Sequence, residues 1–299
     1  MRAKFTGLGT ALVTPFTKNG EMDEKAVRRL GRRQIDSGTH FLVPVGTTGE
    51  NPTLEIPERL RMVEILVDEA KGQVPVLAGC GGYNTNEIVH LAKDMQKAGA
   101  TGLLSVTPYY NKPTQVGIVE HFKAIAGATE LPIILYNIAG RTGVNIETPT
   151  LARLAQIPTI VGVKEASGSL SQMCDVLRTL PPDFIVLSGD DALTLPLMAV
   201  GGRGVISVVS NQIPKEMSQM VEAAERNDFA AARAIHARII NLMQINFVES
   251  NPGPVKYAMA AMGLLEEVYR LPMVPLKPES KAKVDAVLKE LGLLKAALV

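Results

Sequence analysis

Eight short apolar segments, each followed by a stretch with helical periodicity, constrain the fold of this 299-residue chain more than any other feature. Within them Val, Ile and Leu run continuously instead of alternating with polar residues, which is typical of strands buried on both faces. The pattern therefore predicts an α/β protein with a parallel sheet. The eight predicted strands are Leu8–Val13, Phe41–Val45, Val74–Ala78, Gly102–Val106, Ile133–Tyr136, Ile160–Val163, Ile185–Leu187 and Val205–Val209.

Helical segments with recognisable ends separate these strands. Pro57 suits the first turn of a helix, and Gly38, Gly72 and Gly99 follow helical segments where a left-handed residue commonly ends the helix. Eight strand–helix repeats predict a closed (β/α)8 TIM barrel, with a doubly wound open sheet as the alternative. The clearest predicted helices are Glu24–Ser37, Glu58–Lys71, Asn86–Ala98 and Gln115–Thr129.

The last quarter of the chain has helical spacing and no convincing strand. We therefore expect a catalytic barrel at residues 1–224 and a C-terminal helical domain at residues 225–299. About three helices are predicted there, interrupted near Pro252–Pro254 and Pro272–Pro278 because proline disrupts helix interiors.

Charge and cysteine content exclude several classes of protein. Because 31 Lys and Arg balance 30 Asp and Glu, the basic excess of a nucleic-acid-binding protein is missing. Two cysteines cannot build a disulfide framework or a four-thiolate metal site. The longest uncharged stretch, Gly72–Asn86, is too short for a membrane span, and Met1–Gly9 is too interrupted for a signal peptide. We expect a soluble, cytoplasmic protein.

Lys164 is the first candidate site residue, because TIM-barrel active sites lie at the carboxyl ends of the strands. It follows the sixth predicted strand and is the only lysine between Lys123 and Lys215. Burial disfavours the charged ammonium, and a neutral amine is the nucleophile needed for Schiff-base chemistry on a ketone. A structural lysine paired with a carboxylate such as Glu165 fits this position equally well.

Further candidates follow the second and fifth predicted strands. Tyr136 could relay protons and Arg141 could bind a substrate carboxylate, although singly they also fit a core tyrosine and a solvated arginine. The segment Gly46–Glu50 joins two threonines to glycine-flanked amides, which favours anion binding. It also fits a helix capping box, but Gly49 and Pro52 disfavour a helix beginning there.

Adjacent tyrosines and adjacent aspartates follow two other strands. Tyr109 and Tyr110 lie together in a loop of a chain with only seven Phe and six Tyr, which indicates a covered surface, often against a second subunit. Asp190 and Asp191 fit the N-cap of the next helix. We predict no metal site there because the histidines are scattered along the sequence.

Together these motifs resemble the dihydrodipicolinate synthase and N-acetylneuraminate lyase family over essentially the whole chain. The residues that carry the resemblance are Gly46–Glu50, Tyr136-Asn137, Arg141–Gly143 and Gly162–Ala166. The resemblance implies a TIM barrel with a C-terminal helical domain, small-molecule substrates, no metal or organic cofactor, and a homo-oligomer of two or four subunits.

The resemblance also assigns catalytic roles. It implies that Lys164 forms an imine with pyruvate and that Tyr136, Thr47 and Tyr110 relay protons. Tyr110 would be contributed by the neighbouring subunit across the interface.

Substrate-binding roles follow from the same resemblance. Thr48, with the backbone at Ile206 and Gly189, would hold pyruvate, and Arg141 would receive the carboxylate of the second substrate. The sugar-acid lyases generally lack an arginine at the position of Arg141, so the chain resembles the synthase branch. The implied reaction joins pyruvate to aspartate semialdehyde in lysine and diaminopimelate biosynthesis.

Some positions depart from the family pattern. Ala139 replaces a usual proline, which would make the loop that carries Arg141 less rigid. Glu87 and Tyr109 match the lysine-sensitive members, but several neighbouring positions do not. We expect weak or absent inhibition by lysine, which initial rates with added lysine would test. The mismatched positions are Asn51, Pro52, Ile56, Arg59 and Tyr83.

Three other functions compete with this interpretation. The first is another pyruvate aldolase of the family, which cleaves a 2-keto-3-deoxy sugar acid, sialic acid or a 4-hydroxy-2-oxo acid. The second is a catalytically silent sensor of a keto acid, which would form the imine without turnover. The third is a structural barrel, in which Lys164 would stay unmodified.

Overall fold

The computed structural model describes residues 5–294 and confirms the predicted closed barrel. Its strand order is β2-β1-β8-β7-β6-β5-β4-β3, all parallel, so β1 pairs with both β2 and β8. A bridge between Leu42 and Val76 joins β2 to the approach to β3 and closes the ring. A doubly wound sheet would have two open edges, so it is excluded. The strands are β1 (Gly7–Ala11), β2 (Phe41–Val43), β3 (Leu77–Gly79), β4 (Gly102–Val106), β5 (Ile133–Asn137), β6 (Ile160–Glu165), β7 (Ile185–Ser188) and β8 (Gly204–Ser207).

The helices surround the strands and end as the sequence predicts. Pro57 lies in the first turn of its helix, and Gly38, Gly72 and Gly99 have φ angles of 87°, 74° and 89°. These left-handed glycines end three helices without the strain that a Cβ would cause. The helices are α1 (Glu24–Asp36), α2 (Ile56–Ala70), α3 (Thr85–Lys97), α4 (Gln115–Ala126), α5 (Ala139–Thr142), α6 (Thr148–Leu154), α7 (Leu170–Thr179), α8 (Thr194–Ala199), α9 (Pro214–Glu225), α10 (Phe229–Ile245), α11 (Gly253–Ala261) and α12 (Pro278–Glu290).

Helices α10, α11 and α12 form the predicted C-terminal extension and share an apolar cluster with the barrel. Leu8 of β1 and Val205 of β8 belong to the same buried cluster as Leu242 and Val284 of these helices. The extension is therefore packed onto the barrel, and the division into domains at residue 224 stays a prediction.

Residues 1–4 and 295–299, at the outer ends of the two predicted domains, lie outside the described residues, as does the start of the segment considered for a signal peptide. Across residues 5–294, none of the helices combines the length and apolar character that crossing a bilayer requires.

Candidate active site

The ends of β5 and β6 bring Tyr136 and Lys164 together inside the barrel. Ile133 pairs with Ile160, but the next residue of β5 pairs with Gly162, so β6 holds one extra residue at this point. Beyond this register shift Lys164 pairs with Tyr136, and its Nζ atom lies 4.2 Å from the centroid of the Tyr136 ring. Both side chains are buried. The structure thus places the candidate nucleophile against the candidate proton relay.

Glu165 lies on the opposite face of β6 and does not pair with Lys164. One carboxylate oxygen accepts a hydrogen bond from Ser167 N at 2.7 Å. The other accepts from the side-chain amides of Asn137 at 3.0 Å and Gln172 at 3.2 Å. The ion pairs found among residues 5–294 do not include Lys164. The alternative of a structural Lys164–Glu165 pair is therefore wrong.

Gly189, just after β7, leaves room for the Lys164 side chain. A Cβ atom at Gly189 would lie 2.5 Å from Ala166 Cβ, closer than real Cβ atoms approach, and only 3.0 Å from Lys164 Cε. Glycine is therefore needed at this position for steric reasons. Ile206 of β8 is buried in the apolar cluster of the barrel interior that also contains Tyr136. The contacts of Gly189 and Ile206 with pyruvate stay predictions.

A cavity of about 190 Å³ lies at the carboxyl ends of the strands. Thr47, Tyr136 and Arg141 line it, and Lys164 adjoins it through the Tyr136 ring. Cys80 also lines the cavity, and burial raises the pKa of this thiol to about 12. Cys80 is therefore a protonated thiol near neutral pH and a poor nucleophile, so it does not compete with Lys164.

The loop Gly46–Glu50 forms a tight turn after β2. Gly49 N donates to Gly46 O and Glu50 N donates to Thr47 O, each at 3.1 Å. A short 3₁₀ turn begins at Asn51, but the Glu50 side chain does not cap it. The capping-box interpretation of this loop is wrong, because Glu50 is an ion-pair partner of a distant lysine. Anion binding by Thr47 and Thr48 stays a prediction.

That distant lysine is Lys256 of α11, a residue that no sequence motif singled out. Lys256 Nζ lies 2.5 Å from Glu50 Oε1, and both side chains are essentially inaccessible to solvent. The ammonium also lies 4.2 Å from the centroid of the Phe16 ring and 5.3 Å from that of Tyr269. Burial lowers the pKa of Lys256, and the Glu50 carboxylate opposes this shift. The Lys256–Glu50 ion pair joins the loop Gly46–Glu50 to α11.

Asn251, just before α11, is a second residue that sequence reasoning missed. Its Nδ2 atom donates to Thr48 Oγ1 at 3.0 Å, and its backbone oxygen accepts from Arg141 Nη2 at 3.2 Å. The side chain is buried. Its partners are 203 and 110 residues away along the chain, so no local pattern reveals the role of Asn251. The surrounding sequence indicates only that prolines interrupt a helix.

The two adjacent tyrosines after β4 have different environments. Tyr109 lines the cavity, and its ring packs edge-on against Tyr83 with the centroids 5.2 Å apart. Tyr110 is 88 % exposed, has a φ angle of 70° and does not line the cavity. The structure of the chain therefore does not bring Tyr110 to the other candidate residues.

Asp190 and Asp191 bind backbone amides. Asp191 Oδ2 accepts from Val208 N at 3.0 Å and Val209 N at 2.9 Å, while Asp190 Oδ1 accepts from Ala192 N at 2.9 Å. Asp191 therefore caps the 3₁₀ turn after β8, and the prediction that this pair caps the following helix is wrong. Burial raises the pKa of Asp191. In the described part of the chain no cluster of three or more His, Cys, Asp or Glu residues could hold a metal.

Residues from the predicted lysine-contact region already have local partners. Arg59 Nε donates to Leu54 O at 2.9 Å, and burial lowers the pKa of this guanidinium. Glu87 accepts from Asn84 Nδ2 at 2.8 Å at the start of α3. Weak or absent inhibition by lysine stays a prediction.

Comparison with known proteins gives a consistent result across sequence and structure. A profile of the dihydrodipicolinate synthetase family matches residues 4–291. The 4-hydroxy-tetrahydrodipicolinate synthase of Koribacter versatilis is 56% identical over 297 residues, 99% of each chain. The dihydrodipicolinate synthase of Aquifex aeolicus superposes with a TM-score of 0.95 at 44% identity, covering 98% of this chain and 100% of that one.

A third relative was crystallised with a small molecule. The chloride-inhibited dihydrodipicolinate synthase of Acinetobacter baumannii, complexed with pyruvate, is 42% identical with a TM-score of 0.95. The alignment covers 97% of this chain and 99% of that one. With the family profile spanning nearly all described residues and the fold matching throughout, this chain belongs to the dihydrodipicolinate synthetase family.

Proposed function

We propose that the protein is a cytoplasmic lyase that condenses pyruvate with aspartate semialdehyde to 4-hydroxy-tetrahydrodipicolinate, a step of lysine and diaminopimelate biosynthesis. The observation that carries this proposal is the buried Lys164 amine, 4.2 Å from the Tyr136 ring centroid and without a carboxylate partner in the described chain. The names of the relatives support the same reaction, and the rival aldolases of the family are not favoured.

The first half of the proposed mechanism activates pyruvate. The amine of Lys164 attacks the ketone carbon, and proton transfers through Tyr136 and Thr47 convert the carbinolamine hydroxyl into departing water. The resulting iminium withdraws electrons from the adjacent methyl group. Loss of a methyl proton then gives an enamine that is still bonded to Lys164.

The second half forms the carbon–carbon bond. The enamine carbon attacks the aldehyde of aspartate semialdehyde, whose oxygen takes up a proton to become the hydroxyl. The amine of that substrate then attacks the imine carbon, closes the ring and releases Lys164 as the free amine. Because Thr48 and Arg141 each hold one substrate carboxylate, the two carbons meet in an effectively intramolecular step.

We expect Arg141→Ala to reduce condensation far more than imine formation. Removing a charge-assisted contact to the carboxylate of aspartate semialdehyde should lower kcat/KM for that substrate about 10- to 100-fold. Pyruvate-dependent modification of Lys164 should stay near the wild-type level. Product assays with aspartate semialdehyde, alongside borohydride trapping with pyruvate alone, measure the two steps separately.

Arg153→Ala is the matched control, because Arg153 lies at the end of α6 on the barrel exterior. It should leave both steps unchanged. Turnover of a keto sugar acid by the wild-type enzyme at a higher kcat/KM than the condensation would contradict the proposed substrate pair. Equal losses in both steps for Arg141→Ala would contradict the role of Arg141.

We also propose that the enzyme is a homo-oligomer, a dimer or a tetramer, in which Tyr110 completes the active site of a neighbouring subunit. The support is the side chain itself, a tyrosine 88 % exposed in a strained left-handed backbone conformation, in a loop whose other tyrosine lines the cavity. Tyr110→Phe removes only the hydroxyl. It should lower kcat with little change in KM for pyruvate.

Subunit mixing tests this arrangement. Mixtures of Lys164→Met subunits with Tyr110→Phe subunits should be more active than either variant alone, through hybrid sites that carry both intact residues. A monomer by analytical ultracentrifugation at assay concentration, with full activity, would contradict the arrangement.

A further inference from the structure

The hydrogen bond between Asn251 and Thr48 fixes the direction of the Thr48 hydroxyl. A side-chain amide nitrogen can only donate, so Thr48 Oγ1 accepts from Asn251 Nδ2 at 3.0 Å. The hydroxyl proton must then point elsewhere, and no acceptor for it is found among the described residues. Thr48 is 3 % exposed, so this proton is a buried donor without an acceptor in the described part of the chain.

Asn251 is itself held in place from two sides. Helix α11 begins two residues after Asn251, and its Lys256 forms the buried ion pair with Glu50. Glu50 lies two residues after Thr48 in the same loop, so the ion pair and the amide hydrogen bond join the same two segments. The Tyr269 hydroxyl also donates to Gly253 O at 3.2 Å, at the start of α11. The position of the amide is therefore determined by the packing of the C-terminal helices.

Among the described residues, only the nitrogen end of the Asn251 side-chain amide has a hydrogen-bond partner, which is Thr48 Oγ1. Asn251 Oδ1 is buried and has no hydrogen-bond partner in the described part of the chain. An aspartate at this position would place a second acceptor against Thr48 Oγ1, and the hydroxyl would then have to turn its proton toward the carboxylate. Thr48 would then have no proton free for another acceptor, and a negative charge would lie beside it.

We propose that Asn251 is a positioning residue that holds the Thr48 hydroxyl as a hydrogen-bond donor toward the carboxylate of pyruvate. This inference rests on the proposed function, because it takes pyruvate as the first substrate. It assigns to the C-terminal helical extension a part in substrate binding, through a side chain that does not touch the substrate.

Substitutions at Asn251 separate orientation of the hydroxyl from simple structural support. Asn251→Ala removes the amide and frees the hydroxyl to rotate, so KM for pyruvate should rise about threefold to tenfold. Asn251→Asp reverses the hydrogen bond, so KM for pyruvate should rise more, by at least about tenfold, with a smaller change in kcat. The bond from Arg141 to the backbone oxygen of residue 251 is available in both variants, so KM for aspartate semialdehyde should change less.

Asn246→Asp is the matched control for a buried amide converted to a carboxylate. Asn246 is fully buried and exchanges two hydrogen bonds with Gln212, and the one that Gln212 Nε2 donates to Asn246 Oδ1 is retained by an aspartate. It should leave KM for pyruvate unchanged. Thermal unfolding of each variant shows which of them are folded at the assay temperature.

The pyruvate concentration needed for half-maximal borohydride trapping on Lys164 completes the test. Wild-type enzyme without any adduct would overturn the proposed function itself. If wild-type enzyme is trapped and Asn251→Asp needs the same pyruvate concentration within about twofold, the inference about Asn251 is overturned while the function stands. An equal rise for Asn246→Asp would also overturn it, because the effect would then be structural. A rise confined to the Asn251 variants supports it.

Discussion

Replacing Lys164 with methionine should lower kcat/KM for the condensation by at least about 10³-fold. Methionine keeps an unbranched apolar side chain against the Tyr136 ring, so the packing at the end of β6 is retained while the nucleophilic amine is lost. Steady-state rates with both substrates measure the effect. Thermal unfolding should change little, because the Lys164 amine forms no ion pair within the described chain.

Lys215→Met provides the control for loss of a lysine from the surface, since Lys215 is exposed on α9. Its activity should equal that of the wild-type enzyme. A Lys164→Met variant that retained activity within about tenfold of wild type would contradict covalent catalysis at this residue.

Replacing Lys256 with methionine should produce the largest loss of stability. It leaves Glu50 buried without its only ion-pair partner in the described chain, and breaking such a pair typically costs about 3–5 kcal/mol of the free energy of unfolding. Denaturant unfolding at a fixed protein concentration measures this loss. The double variant Glu50→Gln with Lys256→Met removes both charges and should recover more than half of the lost stability.

Lys281→Met is the matched control, because Lys281 pairs with Glu267 at 2.7 Å but both side chains are partly exposed. Its cost should stay within about 1 kcal/mol, as for other solvent-exposed pairs. A Lys256→Met variant as stable as this control would show that the buried pair contributes little. A double variant no more stable than Lys256→Met alone would show that the loss of stability does not come from the unpaired charge of Glu50.

Continuous apolar segments and helix-ending glycines were enough to predict the barrel. Each predicted strand overlaps an observed one, because strands buried on both faces show their pattern locally. The predicted residues Thr47, Tyr136 and Arg141 line one cavity, since the carboxyl ends of parallel strands converge at one end of a barrel.

The orientation of Lys164 could not be predicted from alternation along its strand. Ile160 packs against the helices outside the barrel, and strict alternation would place Lys164 on that same outer face. The register shift between β5 and β6 adds one residue and turns Lys164 inward. Such a shift depends on pairing with the neighbouring strand, which the sequence of β6 does not contain.

Long-range polar contacts were also beyond the local pattern. Asn251 and Lys256 follow the predicted barrel by many residues, and their functions depend on Thr48 and Glu50, about 200 residues earlier in the chain. Burial of a lysine and an asparagine becomes interpretable only once their partners are known. The sequence therefore identifies the groups at the strand ends more readily than the residues that position them.

Borohydride reduction of the wild-type enzyme in the presence of pyruvate, followed by mass mapping of peptides, tests the central claim most directly. Two lysines are buried in the described chain, Lys164 and Lys256, so the experiment also distinguishes between two amines removed from solvent. Because the Lys256 ammonium is held by Glu50 while Lys164 has no such partner, we predict a single pyruvate adduct, on Lys164. No adduct, or an adduct on Lys256, would contradict the account.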